Sequence, residues 1–181
     1  MSDCKINREA NREMRDCLAN KPWKQARELV KPLITKGADS QDESLLKNAL
    51  KRDDREFIEW LYGESETNPD WENNYGADLG HLAVRYSAPE CLEAWATVAS
   101  KKRLHAVTNT GSTKAHYAIY GFEQKGRNNA LAKWVEFGGD VTIENNNGHS
   151  PLSLIERDEQ DFDIKRNSTR KQLESFLKPK K

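Results

Sequence analysis

The stretch from Gly138 to Ile155 reads GGDVTIENNNGHSPLSLI, and its reading decides the fold. It opens on Gly-Gly-Asp, passes through a short β-branched run and three Asn, and reaches Gly148. A small-Pro-Leu run follows. Two glycine-marked turns therefore lie close together, and the apolar run between them is too short for a strand. Such a stretch makes sense as the end of one unit and the start of the next, so internal repetition is the first thing to test.

The octet at the second turn, GHSPLSLI from Gly148, has two counterparts upstream. GSTKAHYA runs from Gly111 to Ala118, and GADLGHLA runs from Gly76 to Ala83. The leading glycines are 35 and 37 residues apart. A further 34 residues back, DESLLKNA starts at Asp42 and keeps the closing Ala49, without the Gly or the His. Each position has a physical reason. Gly supplies a positive φ at the turn. A Ser or Thr two residues later can cap a helix, and Pro151 then fits the first helical position.

This pattern resembles the ankyrin repeat, a unit of about 33 residues with a β-turn, two helices and a T-P-L-H-x-A signature. The Gly-Ala-Asp at 37–39 and Gly-Gly-Asp at 138–140 are similar to the close of such a unit. The resemblance implies an all-α fold, an ankyrin-like solenoid of about five stacked helix-turn-helix repeats with β-turn fingers. It spans 1–181 as one domain: an N-terminal cap at 1–40, repeats at 41–75, 76–110 and 111–147, and a C-terminal cap at 148–181. It also implies that His81 and His116 hydrogen-bond between neighbouring turns.

Helical periodicity agrees. First helices are expected near 8–18, 43–52, 79–86, 114–121 and 151–158. Their partners would bury Ala26, Leu29, Val30, Leu33 and Ile34, then Phe57, Ile58 and Leu61, then Cys91, Leu92, Trp95 and Val98. Further on they would bury Leu131, Trp134 and Val135, and lastly Leu173, Phe176 and Leu177. Pro32 predicts a kink or a loose turn. The connections at 121–128 and after Arg157 are stretched, and the longest finger runs from Gly63 to Gly76.

Composition fits a thin fold. Of 181 residues, 32% are charged and 36% belong to the AVILMFWYC set, yet five Trp, five Tyr and five Phe give it anchors. The formal charge is zero, which gives no whole-chain attraction to nucleic acid or membrane. Residues 41–80 carry eleven acids against four bases. Three Cys with no CxxC pair suit reduced thiols, and no apolar leader or membrane-length run is visible, so a cytoplasmic setting is expected.

No motif for a nucleophile, a phosphate loop or a metalloprotease is present, so no enzyme, cofactor or metal site is expected. The acidic run from Asp158 to Asp163 lacks the Gly and distal Glu of a calcium loop. Cys91 lies on an apolar face and is expected to be an inert packed thiol.

The resemblance instead implies a protein partner, bound by a chain that is monomeric when free. Its groove positions fall on Lys51 and Arg52, Arg85 and Tyr86, Tyr120 and Gly121, and Arg157 and Asp158. Its finger positions include Asn74, Tyr75, Asn109, Thr110, Asn146, Asn147 and His149. Arg and Tyr are the residue types that anchor interfaces. The long finger adds Trp71 and Glu72 among the acids Glu64, Glu66, Asp70 and Asp78, which would suit a partner with a basic surface such as a toxin or an enzyme. Trp71 could equally fold back on the neighbouring helices. A stoichiometric inhibitor, immunity-type protein or adaptor is the expected role. The alternative is nucleic-acid binding through Lys101, Lys102, Arg103 and His105 with Lys178, Lys180 and Lys181.

Overall fold

The computed structural model describes residues 7–65, 67–121, 128–162 and 167–177, with the backbone alone at 158–162 and 167. Cys4, Glu66, the residues 122–127, the residues 163–166, the Asp158 side chain and Lys178, Lys180 and Lys181 lie outside that description. The described residues are helical, with no strand among them.

Helices α1 (Arg8–Asn20) and α2 (Trp23–Thr35) form a first pair, and α3 (Glu43–Leu50) and α4 (Arg55–Gly63) a second. Helices α5 (Leu79–Tyr86) and α6 (Pro89–Val98) form a third, followed by a single turn, α7 (Lys101–Leu104). Helices α8 (Lys114–Ile119) and α9 (Asn129–Glu136) form a fourth, and α10 (Pro151–Phe162) and α11 (Asn167–Leu177) a fifth. Each pair packs on the next: α1 on α3, α3 on α5, α4 on α6, α5 on α8, α6 on α9, and α8 on α10. The α7 turn was not visible in the sequence.

Side-chain caps start many of these helices. Asn7 accepts from Glu9 N–H, Asp42 from Ser44 N–H, Asp54 from Phe57 N–H and Asn128 from Leu131 N–H. Such a cap is worth about 1 kcal/mol each. The apolar faces then close on one another around Leu45, Leu46, Phe57, Leu61, Leu79, Leu92 and Trp95, all essentially without solvent contact. Three residues expected inside are not. Leu29 and Val98 are each 43% exposed and Leu177 is 46% exposed. Leu29 lies in α2 of the first described pair, and the other two are the last residues of their helices. Helix α2 runs three residues past Pro32, which is exposed in its last turn.

Between pairs the same corner recurs. Asn73 N–H donates to Ala77 O, Thr108 N–H to Ser112 O, and Asn145 N–H to His149 O, at 2.9, 3.0 and 2.9 Å. Gly76, Gly111 and Gly148 sit inside these turns at φ 76, 74 and 73°. The turns join edge to edge. Asn109 N–H donates to Tyr75 O and Asn146 N–H to Thr110 O, both at 2.9 Å. Asn109 Nδ2 reaches Asn74 O and Asn146 Nδ2 reaches Asn109 O, at 3.1 and 3.2 Å.

A second row of joints runs through two left-handed residues that are not glycine, Asp53 (φ 51°) and Ser87 (φ 52°). The residue before helix α6, Ala88, has only a methyl and cannot cap it. Asp53 of the preceding pair supplies the acceptor to Cys91 N–H at 2.9 Å. Ser87 Oγ likewise accepts from Asn129 N–H, at the start of α9, at 3.2 Å. The left-handed conformation costs about 1–2 kcal/mol at each, and this capping in trans offsets it.

Candidate interaction face

On α5, His81, Ala83 and Val84 point into the core, while Leu82, Arg85 and Tyr86 look outward at helical spacing. On α3, Leu45, Leu46 and Ala49 are buried, which leaves Glu43, Ser44 and Lys47 outside. Tyr117 of α8 and the turn residues Asn73 and Tyr75 complete the wall. Together these side chains enclose a recess of about 290 Å³. Tyr75 is the most open of its apolar and aromatic members, with 72% of its surface exposed. The Tyr117 ring is fixed edge-on against His81, with centroids 5.0 Å apart. A second recess, lined in part by Arg15, Asp42, Trp71 and Asn74, shares Glu43, Ser44, Asn73 and Tyr75 with the first.

Of the residues expected to meet a partner, Tyr75, Arg85 and Tyr86 come together here. Lys51 is exposed at the C-terminal end of α3, and Tyr120 is 45% exposed at the end of α8. Arg52 turns towards the first pair, where its guanidinium lies 5.7 Å from the Trp23 ring and donates to Asn48. Arg157 is half-buried on α10. Asn109 and Asn146 spend their amides on the neighbouring turns rather than on solvent. Asn74 is exposed and lines the second recess. Leu82, Tyr117 and Lys47 were missed; their spacing relative to Arg85 and Glu43 was the available signal.

The long finger is folded back. Trp71 is half-buried against the core. Asp70 Oδ1 accepts from Ser100 N–H at 3.0 Å, and Glu72 pairs with Arg103. Trp95 Nε1 donates to Pro69 O at 2.8 Å. Asp78, counted among the finger's acids, is fully buried.

Asp78 anchors a polar cluster inside the molecule. Its carboxylate accepts from His81 N–H at 3.0 Å and meets Lys114 Nζ at 3.1 Å. Lys114 is itself fully buried and also donates to Arg103 O at 2.8 Å. Burial alone would raise Asp78, but His81 and the Lys114 ammonium outweigh it and hold the carboxyl below its ordinary range. His81 Nε2 lies 3.3 Å from Ser112 O, and His116 Nε2 lies 2.9 Å from His149 O. Each ring therefore ties one turn to the next.

Burial pushes both histidines below their ordinary range. For His81 the Asp78 carboxylate pulls the other way and Lys114 adds to the push; for His116 only the His149 carbonyl opposes. The folded chain thus refuses protons that the unfolded chain takes up below about pH 6.5, and stability falls as pH drops through that point towards the folded-state values. The expected loss is up to about 1.4 kcal/mol per pH unit for each ring. Urea unfolding between pH 7 and pH 5.5, above the carboxylate range, checks this; a flat profile would mean the rings are charged or open to water.

Among the described residues no group of three His, Cys, Asp or Glu side chains is placed to hold a metal ion, and no helix is long and apolar enough to cross a membrane. The Cys91 thiol is buried, and burial, with Asp53 beside it, pushes it far up from the ordinary thiol range. It is therefore a packed group, not a nucleophile. The sequence matches no family model.

Proposed function

We propose that this chain is a non-enzymatic protein-binding module, built as an ankyrin-type stack and acting as a stoichiometric inhibitor, immunity-type protein or adaptor. The observation that carries this reading is the recess between α3, α5 and α8. There Tyr75 from a turn, with Tyr86 and Tyr117 from α5 and α8, surrounds an exposed Arg85. Tyr and Arg give large contact area with directed hydrogen bonds at low entropic cost, which is why they anchor interfaces. The repeated turn, its chain of backbone joints and the histidines His81 and His116 at two of the three matching corners support the ankyrin assignment. The free thiols of Cys17 and Cys91 go with a reducing compartment such as the cytoplasm.

The test is co-purification from native lysate with the wild-type chain and with Tyr75→Ala/Tyr86→Ala. A partner held near equimolar by the first and at least about tenfold less by the second supports the reading. Equal retention by both would remove the recess from it. The nucleic-acid alternative is weaker, because Arg103 of its basic loop is engaged by Glu72.

A further inference from the structure

We propose that the segment this recess accepts is acidic: a stretch of protein chain that sets an Asp or Glu side chain on Arg85 beside an apolar residue. This rests on the protein-binding reading above and specifies its partner. Arg85 and Lys47 both line the recess, and neither makes an ion pair among the described residues. On the second helices several cations are answered. Arg27 meets Asp54 and Glu56, Arg55 meets Glu59, Glu90 and Glu93, and Lys133 meets Glu93 and Glu136. Several carboxylates of the middle pairs lie on these second helices, and the recess between α3, α5 and α8 holds two cations, Arg85 and Lys47, against the single carboxylate of Glu43.

Three of the finger's five acids are already occupied. Glu72 is held by Arg103, Asp70 by Ser100 N–H, and Asp78 by Lys114 inside the core. The recess therefore favours a partner segment of the opposite sign to the one the finger's acids suggest. Glu43 stands at the rim and accepts from Asn73 Nδ2 at 2.9 Å, so it marks one end of the attractive region. Leu82, Tyr86 and Tyr117 supply the apolar wall beside Arg85. An isolated carboxylate fits this arrangement better than a nucleic acid, whose charges recur about every 1.7 Å along a duplex and would meet Glu43.

Random-peptide display on the full chain, followed by titration of the selected peptides in solution, tests this. The expected peptides are net acidic and carry a recurring Asp or Glu. Their affinity falls at least about tenfold with Arg85→Glu and severalfold with Lys47→Glu, and added salt weakens it. Both residues lie at the surface, so thermal unfolding should be unchanged; Arg85→Gln, expected to weaken binding less than Arg85→Glu, guards against a folding artefact. Neutral or basic peptides that still depend on Tyr75 and Tyr86 would overturn the charge assignment and leave the protein-binding reading standing. An absence of selected peptides, or selected peptides indifferent to both sets of variants, would remove both. A short single-stranded oligonucleotide that binds as tightly as the best peptide would overturn the choice of a protein ligand.

Discussion

Lys114→Ala lowers the free energy of unfolding by about 3–5 kcal/mol, the usual consequence of removing one member of a buried ion pair. Lys114 Nζ lies 3.1 Å from Asp78 Oδ2 and 2.8 Å from Arg103 O, and both charged side chains are fully buried. The lysine stem also fills space: a Cβ on Gly80 would run into Lys114 Cε and come within 2.6 Å of the Trp95 ring. The loss therefore has two sources, a void beside Trp95 and a stranded carboxylate. Lys114→Met separates them. It keeps the bulk, and most of the loss should persist. Asp78→Thr with Lys114→Leu removes both charges while Thr keeps the capping oxygen, as Thr113 provides one for α8. That double variant should regain most of the stability. Urea midpoints decide the matter. If Lys114→Met matched the wild type, the pair would not be a buried charge pair at all.

Gly111→Ala should cost about 2–4 kcal/mol and Gly148→Ala only about 1 kcal/mol, although both glycines have nearly the same backbone conformation. Their φ angles are 74 and 73°, so the conformational penalty is shared. Their surroundings differ. A Cβ on Gly111 would press on the Asn146 side chain and stand 2.9 Å from the Asn146 backbone N, which donates to Thr110 O. A Cβ on Gly148 would meet nothing within 4 Å, because no further turn packs against it among the described residues. Equal melting temperatures for the two variants would show that the turns are not joined as described.

The helix spans were legible because the apolar positions recur at helical spacing and because Asp and Asn sit where caps are needed. Spacing of the Gly-led octets also located the three turns. What could not be read was whatever depends on a partner dozens of residues away. Asp78 looked like one more finger acid until Lys114, 36 residues on, was found beside it. Its matching corners carry the neutral Thr113 and Ser150, and Lys114 falls where Pro151 falls in the next copy. That double departure was the one available signal. Trp71 was ambiguous, since the core it packs against is built by residues distant in sequence. Asp53 and Ser87 gave no local hint of a left-handed conformation, because the helix ends they cap belong to the following pair. At the face itself, Tyr75, Arg85 and Tyr86 were found from the repeat register, whereas Asn109 and Asn146 face along the row of turns instead of out of it.

The joints described here, from Tyr75 to Asn109, Thr110 to Asn146, Asp53 to Cys91 and Ser87 to Asn129, all run between adjacent helix pairs. A molecule fastened in that way carries its cohesion in series, like a zip. Tension on its C-terminal end would release one pair at a time, each release uncovering a fresh corner of the same kind. By the same logic, its length is a matter of copy number: a unit bearing the corner motif would dock at Gly148 as Asn146 docks at Gly111.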